Sequence, residues 1–251
     1  MNTNSNTYTV IYSIGLVVVV AAVLAFVAKF LQPMQDENVK KDTISQILTA
    51  ADVEFTDESV LEAYDGAIKE AILVDLEGKT VGTLDLATRE VYGTPELKKH
   101  MIDQDMFPVY VFENVVVIPC YGPGLWGPIW GYIALAPDMN TVKGIVLDHS
   151  GETPGLGAEI TTAKHQAMYP GKTVFEGEEL VGITLKKGGA AEGAMHEVDA
   201  ITGGTKTSDG VSAMIKDCLV SYKPYFEAAK PSECACCDHK SNELNTENNG
   251  K

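Results

Sequence analysis

From residue 8 to residue 28 the chain has no charged side chain, and at the centre of this span lies the apolar run Leu16, Val17, Val18, Val19 and Val20. About 20 apolar residues is the length at which a helix crosses a bilayer. Whatever the remainder folds into is therefore held to a membrane at one end. A cleaved signal peptide would begin with basic residues and have an apolar core of only about 7–15 residues. This segment has neither property, so a retained transmembrane helix over 10–30 is expected, after a short tail at 1–9. Lys29, Lys40 and Lys41 follow the segment and no Lys or Arg precedes it. The positive-inside rule, taken alone, would put the domain in the cytoplasm.

With 251 residues, 45% of them hydrophobic, the chain can build one substantial core, assigned to residues 31–230. The formal charge is −16 and the only arginine is Arg89. That balance argues against nucleic acid as a partner, because affinity for a phosphate backbone comes from clustered Lys and Arg. It argues equally against electrostatic attachment to anionic lipid.

Val39, Ile44, Ile47 and Leu48 recur at roughly helical spacing and predict a membrane-proximal helix over 37–51. Thr56, Asp57 and Glu58 supply a capped entry to a second helix over 59–70. Short apolar runs bounded by Gly, Pro, Asp or Asn predict strands at 71–76, 108–112, 115–119, 130–135 and 142–147, with turns at Asn114 and at 137–140. A helix over 160–168 should stop before Pro170, with strands following at 173–176 and 182–186. Val211, Met214, Ile215, Cys218, Leu219 and Tyr222 form one apolar stripe on a last helix over 209–222, which Pro224 should end or kink. The expected class is α+β, a mainly antiparallel sheet with flanking helices. Residues 231–251 contain too few apolar groups to offset the entropy of ordering and are expected to be a flexible tail.

Just before that last helix, residues 199–210 read Asp-Ala-Ile-Thr-Gly-Gly-Thr-Lys-Thr-Ser-Asp-Gly. Two glycines permit a sharp turn and close approach to a ligand, and the free N–H groups of a helix starting near Thr207 or Ser208 suit an anion. Thr205 would lie beside it. The same pattern also describes a plain turn followed by an N-cap.

The run resembles the flavinylation motif Asp-x-x-Ser/Thr-Gly-Ala/Gly-Thr, whose last threonine carries FMN through a phosphoester bond; here that threonine is Thr205. Gly204 stands where alanine is more usual. Glu152-Thr153-Pro154-Gly155-Leu156-Gly157, after His149, Ser150 and Gly151, is similar to a second signature of the same FMN-binding domain family. With the Gly-Leu-Trp-Gly-Pro run at 124–128 and the N-terminal segment, residues 1–230 resemble the C subunits of bacterial sodium-translocating NADH:quinone oxidoreductases.

The resemblance implies a subunit that relays electrons through one covalent FMN, in a membrane complex that oxidises NADH, reduces quinone and exports sodium. It places the domain on the periplasmic side of the inner membrane, against the charge rule, and that orientation is adopted. It also implies that an FAD-dependent flavin transferase, assisted by magnesium, attaches the cofactor. Thr202, Gly203, Gly204, Thr207 and Ser208 would seat the phosphate with Thr205, and Lys206 would add positive charge or be an exposed turn lysine. Thr153 and Leu156 would neighbour the ring, with Gly157 in the same loop, while Glu152 either contacts the flavin or holds its loop. Trp126 could stack beside the ring, unless both it and Trp130 fill the core. The one Gly-x-Gly-x-x-Gly, at 122–127, is followed by the strand predicted at 130–135 and opens no helix, so NADH would bind another subunit.

Two other readings stay open: the homologous G subunit of an Rnf-type ferredoxin:NAD complex, and a non-redox membrane-anchored binding module. The longer chain, with two helices at the start of the domain, favours the first family over the Rnf type. Hydrolysis is weakly supported, since His149 and Ser150 lack a nucleophile elbow. Cys234, Cys236 and Cys237 do not have the paired spacing of a structural zinc site and read as redox-labile thiols. No metal is expected, and Cys218 is expected in the core.

Overall fold

The structure, a computed structural model, describes residues 6–229; residues 1–5 of the expected tail and the expected Cys234, Cys236 and Cys237 segment lie outside the described residues. Helix α1 (Asn6–Ala50) is a single helix of 45 residues with Pro33 inside it. The two predicted segments, 10–30 and 37–51, are therefore one. A proline in a helix interior costs about 3 kcal/mol. Ile44, Ile47 and Leu48 are fully buried at the far end of α1, each contributing roughly 1.5–3 kcal/mol, which outweighs that cost. The apolar side chains before them, from Val10 to Met34, are exposed, and α1 is long and apolar enough to cross a membrane.

Helix α2 (Val60–Ala67) buries Val60 and Tyr64. It ends earlier than predicted because Ile68 is already extended. Glu70 therefore opens strand β1 (Glu70–Val74). Strand β2 (Thr80–Thr83) follows, then the short helix α3 (Thr94–Leu97) running into a π-helical turn over Lys98–Ile102. Strands β3 (Phe107–Val111), β4 (Val116–Pro123), β5 (Pro128–Leu135) and β6 (Val142–His149) complete a six-stranded sheet in the order β2-β1-β3-β4-β5-β6. Every pairing in it is antiparallel. The predicted class holds, but β2 had no sequence signal. It is a short edge strand whose one large apolar residue, Val81, faces solvent, as edges that resist further pairing do.

Beyond β6 the predicted helix over 160–168 is split into a 3₁₀ turn (Gly157–Thr161) and helix α4 (Ala163–Gln166). Thr162 is extended between them and its hydroxyl accepts the His165 N–H. Strands β7 (Phe175–Glu176) and β8 (Glu179–Leu180) form a hairpin. Strands β9 (Thr184–Lys186) and β10 (Glu197–Asp199) then pair in parallel. Helix α5 (Thr205–Ala229) has 25 residues and extends beyond the predicted 209–222 at both ends. Pro224 does not end it, since Phe226 just beyond is fully buried and Tyr222, just before, donates its hydroxyl to the Pro108 carbonyl at 2.8 Å.

Side chains alternate across a strand, and that alternation separates the two long helices. Gly122 of β4 and Ile129 of β5 are paired and lie against Met214 and Gly210 of α5. Trp130 of β5 and Gly144 of β6 point the other way, to Gln46 and Ala50 of α1. The sheet is thus clamped between the end of α1 and α5.

Candidate cofactor site

The three runs singled out in the sequence come together in space. The 124–127 segment is the tip of the β4–β5 hairpin, closed by Gly124 N–H donating to the Gly127 carbonyl at 2.8 Å. The 150–157 loop leaves β6 beside it, and the first turn of α5 packs onto both. Glu152 is the common point. Its Oε1 accepts the N–H groups of Leu125 at 2.7 Å and Trp126 at 3.1 Å, while its Oε2 accepts the Thr207 hydroxyl at 2.6 Å. Glu152 is only 4% exposed. Burial works against its charge, but the Thr207 hydroxyl, the two backbone N–H groups and nearby His149 together hold its carboxyl below the usual range. Of the two roles left open for Glu152, the structure shows the loop-holding one. Gly157 is required here, because a Cβ at that position would meet both Glu152 Oε2 and Thr207 Oγ1.

Strand β10 leads into the turn at 200–204, where Gly203 has φ of +76°. The Gly204 carbonyl accepts the Ser208 N–H at 2.9 Å, which makes Thr205 the first residue of α5, earlier than the predicted start at Thr207 or Ser208. The N–H groups of Thr205, Lys206 and Thr207 precede the first intrahelical bond, so the positive end of the helix opens here. Thr205, Thr202 and Lys206 are exposed around it. The hydroxyls of Thr207 and Ser208 are placed differently from the expected seat. Both residues are 1% exposed; Thr207 is bound to Glu152, and Ser208 Oγ accepts the Ile201 N–H at 3.0 Å. Ser208 has its N–H and its hydroxyl both committed, and serves the turn rather than an anion.

The loops that pack on the start of α5 carry exposed apolar side chains. Trp126 is 70% exposed, Leu125 52% and Leu156 43%. Thr153 is exposed as well, and Leu156 lies over the turn, since a Cβ on Gly203 would approach its Cδ2 to 2.6 Å. Trp126 is therefore not a core residue, whereas Trp130 is half-buried against α1. This arrangement fits a phosphorylated aromatic cofactor such as FMN: an exposed hydroxyl at an anion-stabilising helix end, with an exposed indole on the hairpin tip that Glu152 ties to the same helix. It does not fit a hydrolase, because His149 Nδ1 accepts the Glu152 N–H at 3.2 Å instead of facing Ser150. Among the described residues no group of His, Cys, Asp and Glu could hold a metal.

Comparison with known proteins points the same way. The FMN-binding domain family matches residues 124–220, a span that includes every site residue named above. A Haemophilus ducreyi protein, named as the C subunit of a Na(+)-translocating NADH-quinone reductase, is 32% identical over 229 residues, 84% of this chain and 88% of that one. Its namesake from Pasteurella multocida is 45% identical over 114 residues, and this chain spans less than half of it, 44%. The crystal structure of the C subunit of the same name from Parabacteroides distasonis superposes with a TM-score of 0.70 at 34% identity, covering 78% of this chain and 96% of that one.

Proposed function

The chain belongs to the family of Na(+)-translocating NADH-quinone reductase C subunits, and from that premise we propose that its FMN is joined by a phosphoester to Thr205. It is the FMN-carrying electron-relay member of a membrane redox complex that oxidises NADH, reduces quinone and exports sodium. The other subunits of that complex are its partners. When bound, the flavin supplies one-electron chemistry. The chain's own residues would seat and orient it: the N–H groups at the start of α5 would hold the phosphate, Lys206 would add positive charge, and Trp126, Thr153 and Leu156 would border the ring.

The observation that carries this reading is that Thr205 presents an exposed hydroxyl on the first residue of α5, while the hydroxyls of Thr207 and Ser208 are buried and engaged. A flavin in so open a site would dissociate if it were not tethered, and it remains accessible to partners. The domain faces the periplasm, a flavin transferase attaches the cofactor there, and with a charge of −16 the chain does not bind nucleic acid.

Thr205→Val removes the oxygen that must bond to phosphorus and keeps a side chain of similar size. The fold is expected to survive and the FMN adduct to vanish from the peptide containing residue 205, as read by mass spectrometry. An adduct that persists in the variant sinks the assignment, and Thr202 becomes the candidate.

A further inference from the structure

Gln46 lies near the end of α1, on the face turned to the sheet. Its Nε2 donates to Asp148 Oδ2 at 3.1 Å, and its Oε1 accepts the Trp130 indole N–H at 3.4 Å. Asp148 Oδ1 accepts the His149 N–H at 2.7 Å. His149 Nδ1 accepts the Glu152 N–H at 3.2 Å, which requires the ring proton to be on Nε2. Glu152 then binds the tip of the β4–β5 hairpin and the Thr207 hydroxyl. A continuous series of hydrogen bonds thus runs from the helix that crosses the membrane to the first turn of α5, ending two residues from Thr205.

These bonds are not needed to hold α1 on the sheet. Ile44, Ile47 and Leu48, all fully buried, already do that, and dispersion and burial are not directional. Hydrogen bonds are directional, so the series fixes the angle at which the 150–157 loop and the turn of α5 are presented. Gln46 also bonds Asp42 at 3.0 Å, so its amide is held from both sides of the interface.

We propose that Gln46 is a positioning residue for the flavin site, setting the geometry of the Thr205 turn relative to the membrane helix through Asp148, His149 and Glu152. The proposal rests on FMN being carried by Thr205.

The test uses the full chain in its membrane complex, with Gln46→Leu, Asp148→Ala and, as a packing control outside the series, Ile47→Val. Amide hydrogen exchange at Leu125, Trp126 and Glu152 is expected to quicken roughly two- to tenfold in Gln46→Leu and Asp148→Ala, the equivalent of one hydrogen bond. The midpoint potential of the bound flavin should shift in the same direction in both. Ile47→Val should match the unmodified chain. Asp148→Ala leaves α1 untouched and reads the same link if Gln46→Leu does not fold. Unchanged exchange and potential in both disrupting variants, or an equal shift in Ile47→Val, would overturn the proposal. Peptide mass spectrometry on the same samples separates this from failure of the Thr205 reading: no adduct at 205 removes the premise, while the exchange data still report on the link.

Discussion

Glu152 and Thr207 are 55 residues apart in sequence and joined by a buried hydrogen bond of 2.6 Å. An O–H group donating to a carboxylate at this distance forms one of the stronger bonds available to neutral donors. It ties the loop after β6 to the helix that begins at Thr205.

Thr207→Val keeps the volume of the side chain and leaves a buried carboxylate oxygen without its donor. The expected loss is roughly 1–3 kcal/mol, read as a fall in Tm of about 2–4 °C per kcal/mol for a domain of this size. Thr207→Ser should restore most of it. An unchanged Tm in the valine variant would mean that the bond contributes nothing.

Gly203→Val forces a β-branched residue to φ of +76° and drives its Cβ toward Leu156. Left-handed backbone costs an L-residue roughly 1–2 kcal/mol, and the clash adds to that. Adding Leu156→Ala should recover the clash and leave the backbone cost, a coupling that a double-mutant cycle measures. Strict additivity would show that Leu156 does not press on the turn.

His165 is 3% exposed, and burial lowers its pKa from 6.5 to about 4, with Asp199 working weakly the other way. Its folded pKa is below its unfolded value, so between the two only the unfolded chain binds the proton. Stability is therefore full above about 6.5 and declines as pH falls toward about 4, by up to roughly 3 kcal/mol. His165 Nε2 lies 3.1 Å from the Tyr169 hydroxyl, and urea titrations across that window should show the slope in the unmodified chain and its loss in His165→Gln, which can still bond Tyr169. Equal slopes would rule the histidine out.

The periplasmic orientation is checked by placing a cysteine at exposed Glu70 in a chain whose Cys234, Cys236 and Cys237 have been replaced. A membrane-impermeant maleimide should label it in cells with a permeabilised outer membrane and an intact inner one. Labelling only after the inner membrane is broken would put the domain in the cytoplasm, as Lys29, Lys40 and Lys41 alone suggest.

Five of the six strands of the main sheet are legible in their apolar runs, because Val, Ile and Tyr residues there alternate or cluster between turn formers. The start of α5 is not, and the reason is specific. Thr207 and Ser208 look like capping hydroxyls ahead of a helix; they lie inside its first turn and reach outward to Glu152 and back to Ile201, a reversal akin to the reciprocal half of a capping box. The sequence divides α1 into two segments on either side of Pro33, a break that burial at Ile44 and Leu48 overrides. For Glu152 two roles are equally consistent with the sequence, and the positions of its three donors show the loop-holding one. Gln46 gives no signal at all, being 102 residues from Asp148, and only the packing of α1 on the sheet brings them together.

The unbroken course of α1 through Pro33 has a mechanical meaning. At roughly 1.5 Å per residue, its 45 residues form a strut about 70 Å long, with one end long and apolar enough to cross a bilayer and the other in the protein core. A group mounted on such a strut has a set altitude above the bilayer and cannot sweep through a volume, as it would on a loose linker. Its electron donors and acceptors must come within range by their own placement or motion, because over the described residues α1 has no break between its apolar end and the core with which to reach for them.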